Sequence, residues 1–425
     1  MGQVANKSAL ETDKKNKKAT LLIILCWLVY TCSYIGKLGY NANITQIETL
    51  FGVTHAEAGM VSTFFFFAYG VGQIINGILC KKYNVRYVVF GSLILSGIMN
   101  LLVGFVHSFE ALKYFWLING AALSVLWTSL IRLLSEELEE KYMGRAVIVM
   151  GTTVATGTFL VYGMSALFVA LRHFQTIFYL AGLLLPLIAV VWMVSYPFLT
   201  KKQAVSEVCQ EKETTCVEGS SKTLKGLWII FIILAFYAVV NNLVKDGLTT
   251  WVPMILKDLY HLPDYISILL TIFLPILAIF GTAVSVWLHK KIKNFVALCM
   301  VLFLCTGILI GLVIVFLPQE VFIITLISFA LVSCLMSGVN NVVTSMVPLY
   351  WKDKINSGMV AGILNGFCYV GSTVSSYGLG AVADAWDWSA VFWLLFGLAC
   401  AATLIGFGYN IVILIKKRGN AGKLQ

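Results

Sequence analysis

A chain of 425 residues that is 59% hydrophobic and only 12% charged, with a mean hydropathy of +0.88, lacks the charged coat of a soluble globule. Its net charge of +10 resides in short basic clusters between apolar stretches, so it reads as a topology signal rather than as affinity for nucleic acid. Composition excludes a soluble globular protein and leaves a polytopic membrane protein.

In chain order, apolar stretches long enough to cross a bilayer, about 20 residues each, fall at 20–47, 54–79, 86–106, 110–134, 145–170, 175–199, 226–256, 263–288, 294–316, 321–349, 356–383 and 388–415. Lipid offers no partners to open backbone groups, and a barrel would show alternating segments of about ten residues. The spacing predicts an all-α polytopic membrane protein with twelve transmembrane helices. A charged leader at 1–19 precedes the first span. Because it has no small-residue cleavage site, it reads as retained rather than as a signal peptide. A polar loop at 200–225 separates six-helix halves at 20–199 and 226–415, and a basic tail occupies 416–425.

On this topology, 25 of the 30 lysines and arginines lie on the face that carries both termini. Lys113, Arg172 and Lys257 occupy the opposite face, and Lys37 and Lys245 fall inside spans. The positive-inside rule then makes both termini cytoplasmic, as expected of a multi-pass monomer in the cell membrane, inner or plasma.

Lys37 sits in "YIGKLGYN", late in the first span. On its own it fits two readings: a long side chain snorkelling to the interface, or a buried cation that marks a binding site. Tyr30, Tyr34, Lys37 and Asn41 recur at i, i+4, i+7 and i+11, which places them on one helical stripe facing protein or water. The seventh span supplies a match, because Lys245-Asp246-Gly247 in "NNLVKDGLTTWV" repeats the Lys-x-Gly of Lys37 and Gly39 at the same depth. The second spans of both halves end in a doubled lysine, "CKKYN" and "HKKIKN". The fifth and eleventh share Gly151 with Gly366 and Tyr162-Gly163 with Tyr377-Gly378 at constant offset. Two equivalent lysines on the face poorest in basic residues read as a pair converging on a central cavity. Two facing ammonium groups repel each other and gain from an anion between them, while phenols and amides add neutral hydrogen bonds. The implied ligand is a small anion.

These parallel repeats resemble the major facilitator superfamily, whose substrate site lies between the halves near the midplane. The resemblance covers essentially the whole chain. Within it, "AYGVGQIINGILCKKYNVR", Ala68 to Arg86, is similar to the second span of the organophosphate:phosphate antiporter family, the glycerol-3-phosphate and hexose-phosphate exchangers. "VKDGLTTWVPMIL" and "SGMVAGILNGFCYVGSTVSSYG" resemble that family's seventh and eleventh spans. The resemblance puts the family's two binding arginines on Lys37 and Lys245, and it brings Tyr69 and Gln73 of the second span into the site. Gln73 stands where the family has a lysine, and Val154 where it has a histidine. Lysine is a compact point charge without arginine's planar fork, so the site keeps its sign but loses bidentate geometry and one cation.

The resemblance implies exchange of a phosphorylated metabolite for inorganic phosphate as counter-substrate. A carboxylate or sugar acid, with or without proton coupling, competes with it. So does a transporter-like sensor of an anionic metabolite. Asp246 is the one carboxylate at depth and therefore the candidate for coupling. Trp127, Asn340 and Asn341 are candidate lining residues, with helix packing as their plainer role. Gly358, Gly362 and Gly366 form a small-xxx-small stripe suited to close helix approach, and Asp384 and Asp387 read as solvated in a turn between spans eleven and twelve. The sequence has no metal-site spacing, phosphate-cradling loop or nucleophile elbow, which argues against an enzyme and calls for no cofactor.

Overall fold

In the computed structural model, residues 2–79, 82–200, 221–319, 321–350 and 357–421 are described. Every regular element among them is helical. The first half comprises α1 (Gly2–Ala42), α2 (Ile44–Phe51), α3 (His55–Leu79), α4 (Val85–Gly104), α5 (Phe109–Leu123), α6 (Leu126–Glu137), α7 (Glu140–Gly151), α8 (Thr153–Ala170) and α9 (Thr176–Leu199). The second comprises α10 (Ser221–Tyr260), α11 (Asp264–Thr271), α12 (Phe273–Lys291), α13 (Phe295–Phe316), α14 (Phe322–Asn341), α15 (Val347–Tyr350), α16 (Ser357–Ala385) and α17 (Trp388–Ala421). Among the described residues, eleven helical stretches, some joining two of these helices, are long and apolar enough to cross a membrane. α16, rich in glycine and serine, adds a twelfth rod of 29 residues, about 43 Å at 1.5 Å per residue.

Local chemistry explains where these rods start and break. Asn84, Ser108 and Asn294 accept backbone N–H groups at the starts of α4, α5 and α13, which satisfies donors a helix start leaves open. Span eight breaks between α11 and α12 at Ile272; Pro275 follows in the first turn of α12, with no N–H to return to Thr271. Span ten carries a π-helical stretch at Val342–Met346 before α15. Pro348, four residues after Thr344, removes one ladder donor there. The first rod differs from the sequence expectation at both ends. Helix α1 already begins at Gly2, inside the expected leader, and it ends at Ala42, where Asn43 turns the chain into α2 and bonds the Gly39 carbonyl and Ser165 Oγ. Most of the expected central loop, residues 201–220, lies outside the described residues.

Within the halves α4 packs on α9, α3 on α5, α12 on α14 and α13 on α17. The halves meet along two seams, α3 with α16 and α8 with α11 and α12. These pair spans two with eleven and five with eight, which are equivalent under the repeat. At Gly59 an added Cβ would overlap the Ser376 carbonyl, so α3 and α16 touch backbone to backbone. The same is not true of the whole stripe on α16. Gly366 meets Ile74 of α3, whereas a Cβ on Gly362 would enter open space.

Hydrogen bonds between the halves gather toward the face opposite the termini. Asn41 Nδ2 donates to Thr250 Oγ1 at 2.9 Å, Tyr162 donates to the Thr249 carbonyl at 3.1 Å, and Thr63 donates to the Thr373 carbonyl at 3.0 Å. Asp384 stays exposed, as the solvated reading expects, and it also takes part in the seam. Its two oxygens accept the His55 and Ala56 N–H groups at 3.0 and 2.7 Å, so a carboxylate of the second half caps a helix of the first. The His55 ring lies beside Trp251 and Trp388, with Nδ1 2.9 Å from Glu48 and Nε2 3.6 Å from Asp258.

Candidate functional site

Lys37 lies near the end of α1, and the peptide just before it is clamped. The Gly36 carbonyl accepts Asn119 Nδ2 at 2.8 Å and Asn100 Nδ2 at 3.3 Å, while Ser96 Oγ donates to Asn119 Oδ1 at 2.6 Å. A Cβ on Gly36 would come within 2.7 Å of Leu185 and 3.0 Å of Asn100 Nδ2, so glycine eases the close approach of α1 to α9 and α4. The clamp sets the direction in which Lys37 leaves the helix.

That direction leads into a cluster of aromatic rings. The Lys37 ammonium stands 4.2 Å from the centroid of Tyr69 and 5.3 Å from that of Tyr34, within cation–π range. Tyr30 meets Tyr34 edge-on at 5.5 Å and packs against Trp127 at 4.8 Å. Tyr69 packs against Tyr369 of α16 at 5.0 Å. The stripe read from the sequence is therefore one face as far as Lys37, whose neighbour Tyr69 in turn meets a ring from the other half.

Lys245 is half-buried on α10, and its ammonium makes no hydrogen bond or ion pair among the described residues. Its neighbour Asp246 is engaged with α16. Asp246 Oδ2 accepts Ser372 Oγ at 2.5 Å and Asn242 Nδ2 at 3.1 Å, and Asn242 is 3.1 Å from Ser372 Oγ. Lys37 of α1, Tyr69 of α3, Asp246 of α10 and Tyr369 with Ser372 of α16 thus lie on the four helices of the candidate site.

The other candidates fall at its margins. Asn41 is buried in the seam, its amide donating to Thr250 and its oxygen accepting Ser62 Oγ at 2.9 Å. Gln73 Oε1 accepts Asn365 Nδ2 at 2.8 Å, joining α3 to α16 one turn beyond Tyr69. Asn340 accepts Cys368 Sγ at 3.7 Å and Asn341 donates to Ser285 at 3.0 Å, both within the second half. Val154 is 43% exposed and supplies no polar group. Sequence reasoning did not single out Tyr369, Asn242 or Ser372. The i, i+4 spacing of Asn242 and Asp246 was the signal for one of them. Tyr369 and Ser372 lie in the stretch "CYVGSTVS", where nothing distinguishes them from packing residues.

The sequence profile of the Major Facilitator Superfamily matches residues 26–353. The chain is 21% identical over 393 residues to the membrane sensor protein UhpC of Escherichia coli (strain K12), covering 87% of each chain. It is 20% identical over 403 residues to a probable hexose phosphate transport protein of Chlamydia pneumoniae, covering 88% of this chain and 86% of that one. A 3-(3-hydroxy-phenyl)propionate transporter of Escherichia coli (strain K12) is 24% identical over 253 residues, 58% of this chain and 59% of that one. Among solved structures, a bacterial homolog of the human lysosomal transporter Spinster, inward-facing and occupied, superposes with a TM-score of 0.67 at 13% identity, covering 93% of this chain and 94% of that one. A mutant form of the nucleoside transporter NupG gives 0.64 at 15%, covering 92% and 99%. With this fold, and with a profile match across most of its length, the chain belongs to the Major Facilitator Superfamily.

Proposed function

We propose that this protein is a secondary transporter of a small organic anion, a phosphorylated metabolite exchanged for inorganic phosphate by alternating access. The observation that supports the reading is Lys37 of α1 set against Tyr34 and Tyr69, with Tyr369 of the other half against Tyr69, while α10 of that other half carries Lys245. An anion held between the two lysines is held by both halves at once, which is what couples binding to rocking of the halves. Without an anion the two cations raise the energy of the occluded arrangement, which favours exchange over passage of the empty carrier. The seam on the face opposite the termini closes one exit, the arrangement an inward-facing carrier needs once the positive-inside bias places the termini in the cytoplasm. Similarity to hexose phosphate transport proteins supports the choice of a phosphoester.

A carboxylate with a ring body is the second reading. The rings around Lys37 and the similarity to a phenylpropionate transporter favour it. Sensing is the third, from the similarity to a membrane sensor protein. One experiment separates the three: uptake of labelled phosphate into proteoliposomes with and without phosphate inside. Uptake that requires internal phosphate and vanishes in Lys37→Gln supports exchange. Folded protein that moves no phosphate but moves an aromatic acid supports the second reading, and binding without movement of any anion supports the third.

A further inference from the structure

On the face opposite the termini, the ring of His55 sits where the two halves close. From the first half, Glu48 Oε1 of α2 stands 2.9 Å from Nδ1; from the second, Asp258 Oδ2 of α10 stands 3.6 Å from Nε2. The side chains of His55 and Glu48 are only 21% and 18% exposed, and the second Glu48 oxygen has no hydrogen bond among the described residues. Asp384 of α16 accepts the backbone N–H of His55 itself. Trp251 of α10 and Trp388 of α17 flank the ring, and Trp388 Nε1 donates to Asp258 Oδ2 at 2.9 Å. On the histidine's own helix Glu57 turns back to the Thr54 N–H, and from α1 Tyr40 donates to the Ala58 carbonyl. The cation nearest Asp258 along the chain, Lys257, pairs with Asp264. Among the described residues no lysine or arginine pairs with Glu48, Asp258 or Asp384.

The charge on the imidazole therefore decides how firmly this corner holds. Both ring nitrogens face carboxylate oxygens. A neutral imidazole has one N–H and one lone pair, so it sets that lone pair against one carboxylate and leaves three carboxylates gathered without a cation. An imidazolium presents a positive N–H to each side. We propose that His55 is a proton-operated latch of the seam: protonated from the medium on that face, it ties α2 of the first half to α10 of the second, and deprotonated it releases them. The proton comes from water and returns to it, no covalent bond changes, and the device works whatever the carrier transports. Because the closed seam prefers the protonated ring, its added stability is full at low pH and is lost as pH rises through the titration of His55.

The His55 and Ala56 N–H groups, bonded to Asp384 across the seam, report its opening directly. Their hydrogen exchange is read from peptides over 53–60 of the purified full-length protein in lipid nanodiscs, corrected for the intrinsic pH dependence of exchange. The range is pH 5.5 to 8.5, where imidazole titrates. Proton binding about ten times tighter in the closed seam predicts that protection falls about tenfold across this range. Peptides of α4, which packs on α9 within the first half, should stay level. His55→Gln should be flat at the low value of the alkaline wild type, and His55→Arg, which keeps the charge, flat near the acid value. Wild-type protection that is independent of pH overturns the proposal, as does a slope that survives in His55→Gln. Should that variant not fold, Asp258→Asn decides. It removes the cross-half carboxylate and leaves Glu48, so a slope as steep as that of the wild type overturns the latch.

Discussion

Lys37 and Lys245 share the Lys-x-Gly pattern of the first and seventh spans, yet their surroundings differ. Lys37 is wedged among rings, its ammonium 4.2 Å from Tyr69 and its backbone clamped at Gly36 by Asn100 and Asn119. Lys245 has no ring or acceptor against its ammonium among the described residues, and the polar groups of its helix serve Asp246 instead. A repeat thus preserves the position of a charge along a helix, while the neighbours from other helices decide how tightly that charge is held. We read Lys37 as the fixed pole of the site and Lys245 as the adjustable one.

The largest effects should come from removing either charge. Lys37→Gln and Lys245→Gln should each weaken anion binding by about 30- to 4,000-fold, the range for taking away one partner of a desolvated charge pair. Arginine distinguishes the two poles. Lys245→Arg should keep phosphate affinity within about threefold, whereas Lys37→Arg must force a larger planar group among packed rings, an overpacking cost of about 1–3 kcal/mol. Equal tolerance of arginine at both positions, measured by equilibrium binding of labelled phosphate, would erase the contrast.

A middle-sized effect isolates the rings. Tyr69→Leu should lower affinity by about 2- to 30-fold, matching about 0.5–2 kcal/mol of cation–π attraction, and Tyr69→Phe should stay close to the wild type. In a Lys37→Gln background Tyr69→Leu should change nothing further, since the ring then has no cation to hold. A full effect in that background would show that Tyr69 acts on the ligand directly.

The smallest effect tests the clamp. Asn119→Ala removes the shorter of the two hydrogen bonds to the Gly36 carbonyl and should cost about 1 kcal/mol, or roughly fivefold in affinity. Lys37→Arg in the Asn119→Ala background should then be better tolerated than Lys37→Arg alone, because the loosened turn lets the longer side chain settle. Competition binding reads both.

Much of this was legible in the sequence. The rods follow from apolar runs of the right length, and the stripe Tyr30, Tyr34, Lys37 follows from helical spacing alone. The Lys-x-Gly repeat by itself singles out both lysines. What could not be read are contacts made across helices by residues of ordinary type. Asn41 shares the stripe with Lys37, but its depth puts it in the seam, bonded to Thr250 and Ser62. Tyr369 and Ser372 gain their roles only because α16 packs against α3 and α10. Asp384 looked like a turn residue in "ADAWDW" because nothing local shows that the start of α3 lies above it.

The Asp384 cap also bears on how the carrier idles. Separating the halves at that point strips two peptide N–H groups of a carboxylate that water can replace, and losing such a cap costs only about 0.5–2 kcal/mol. This contact alone therefore biases the closed arrangement by about 2- to 30-fold. A ligand that distinguishes the two arrangements by a comparable factor is enough to offset that share of the bias. The same weakness implies some slippage, with the unloaded carrier turning over at a low rate wherever the rest of the seam allows it.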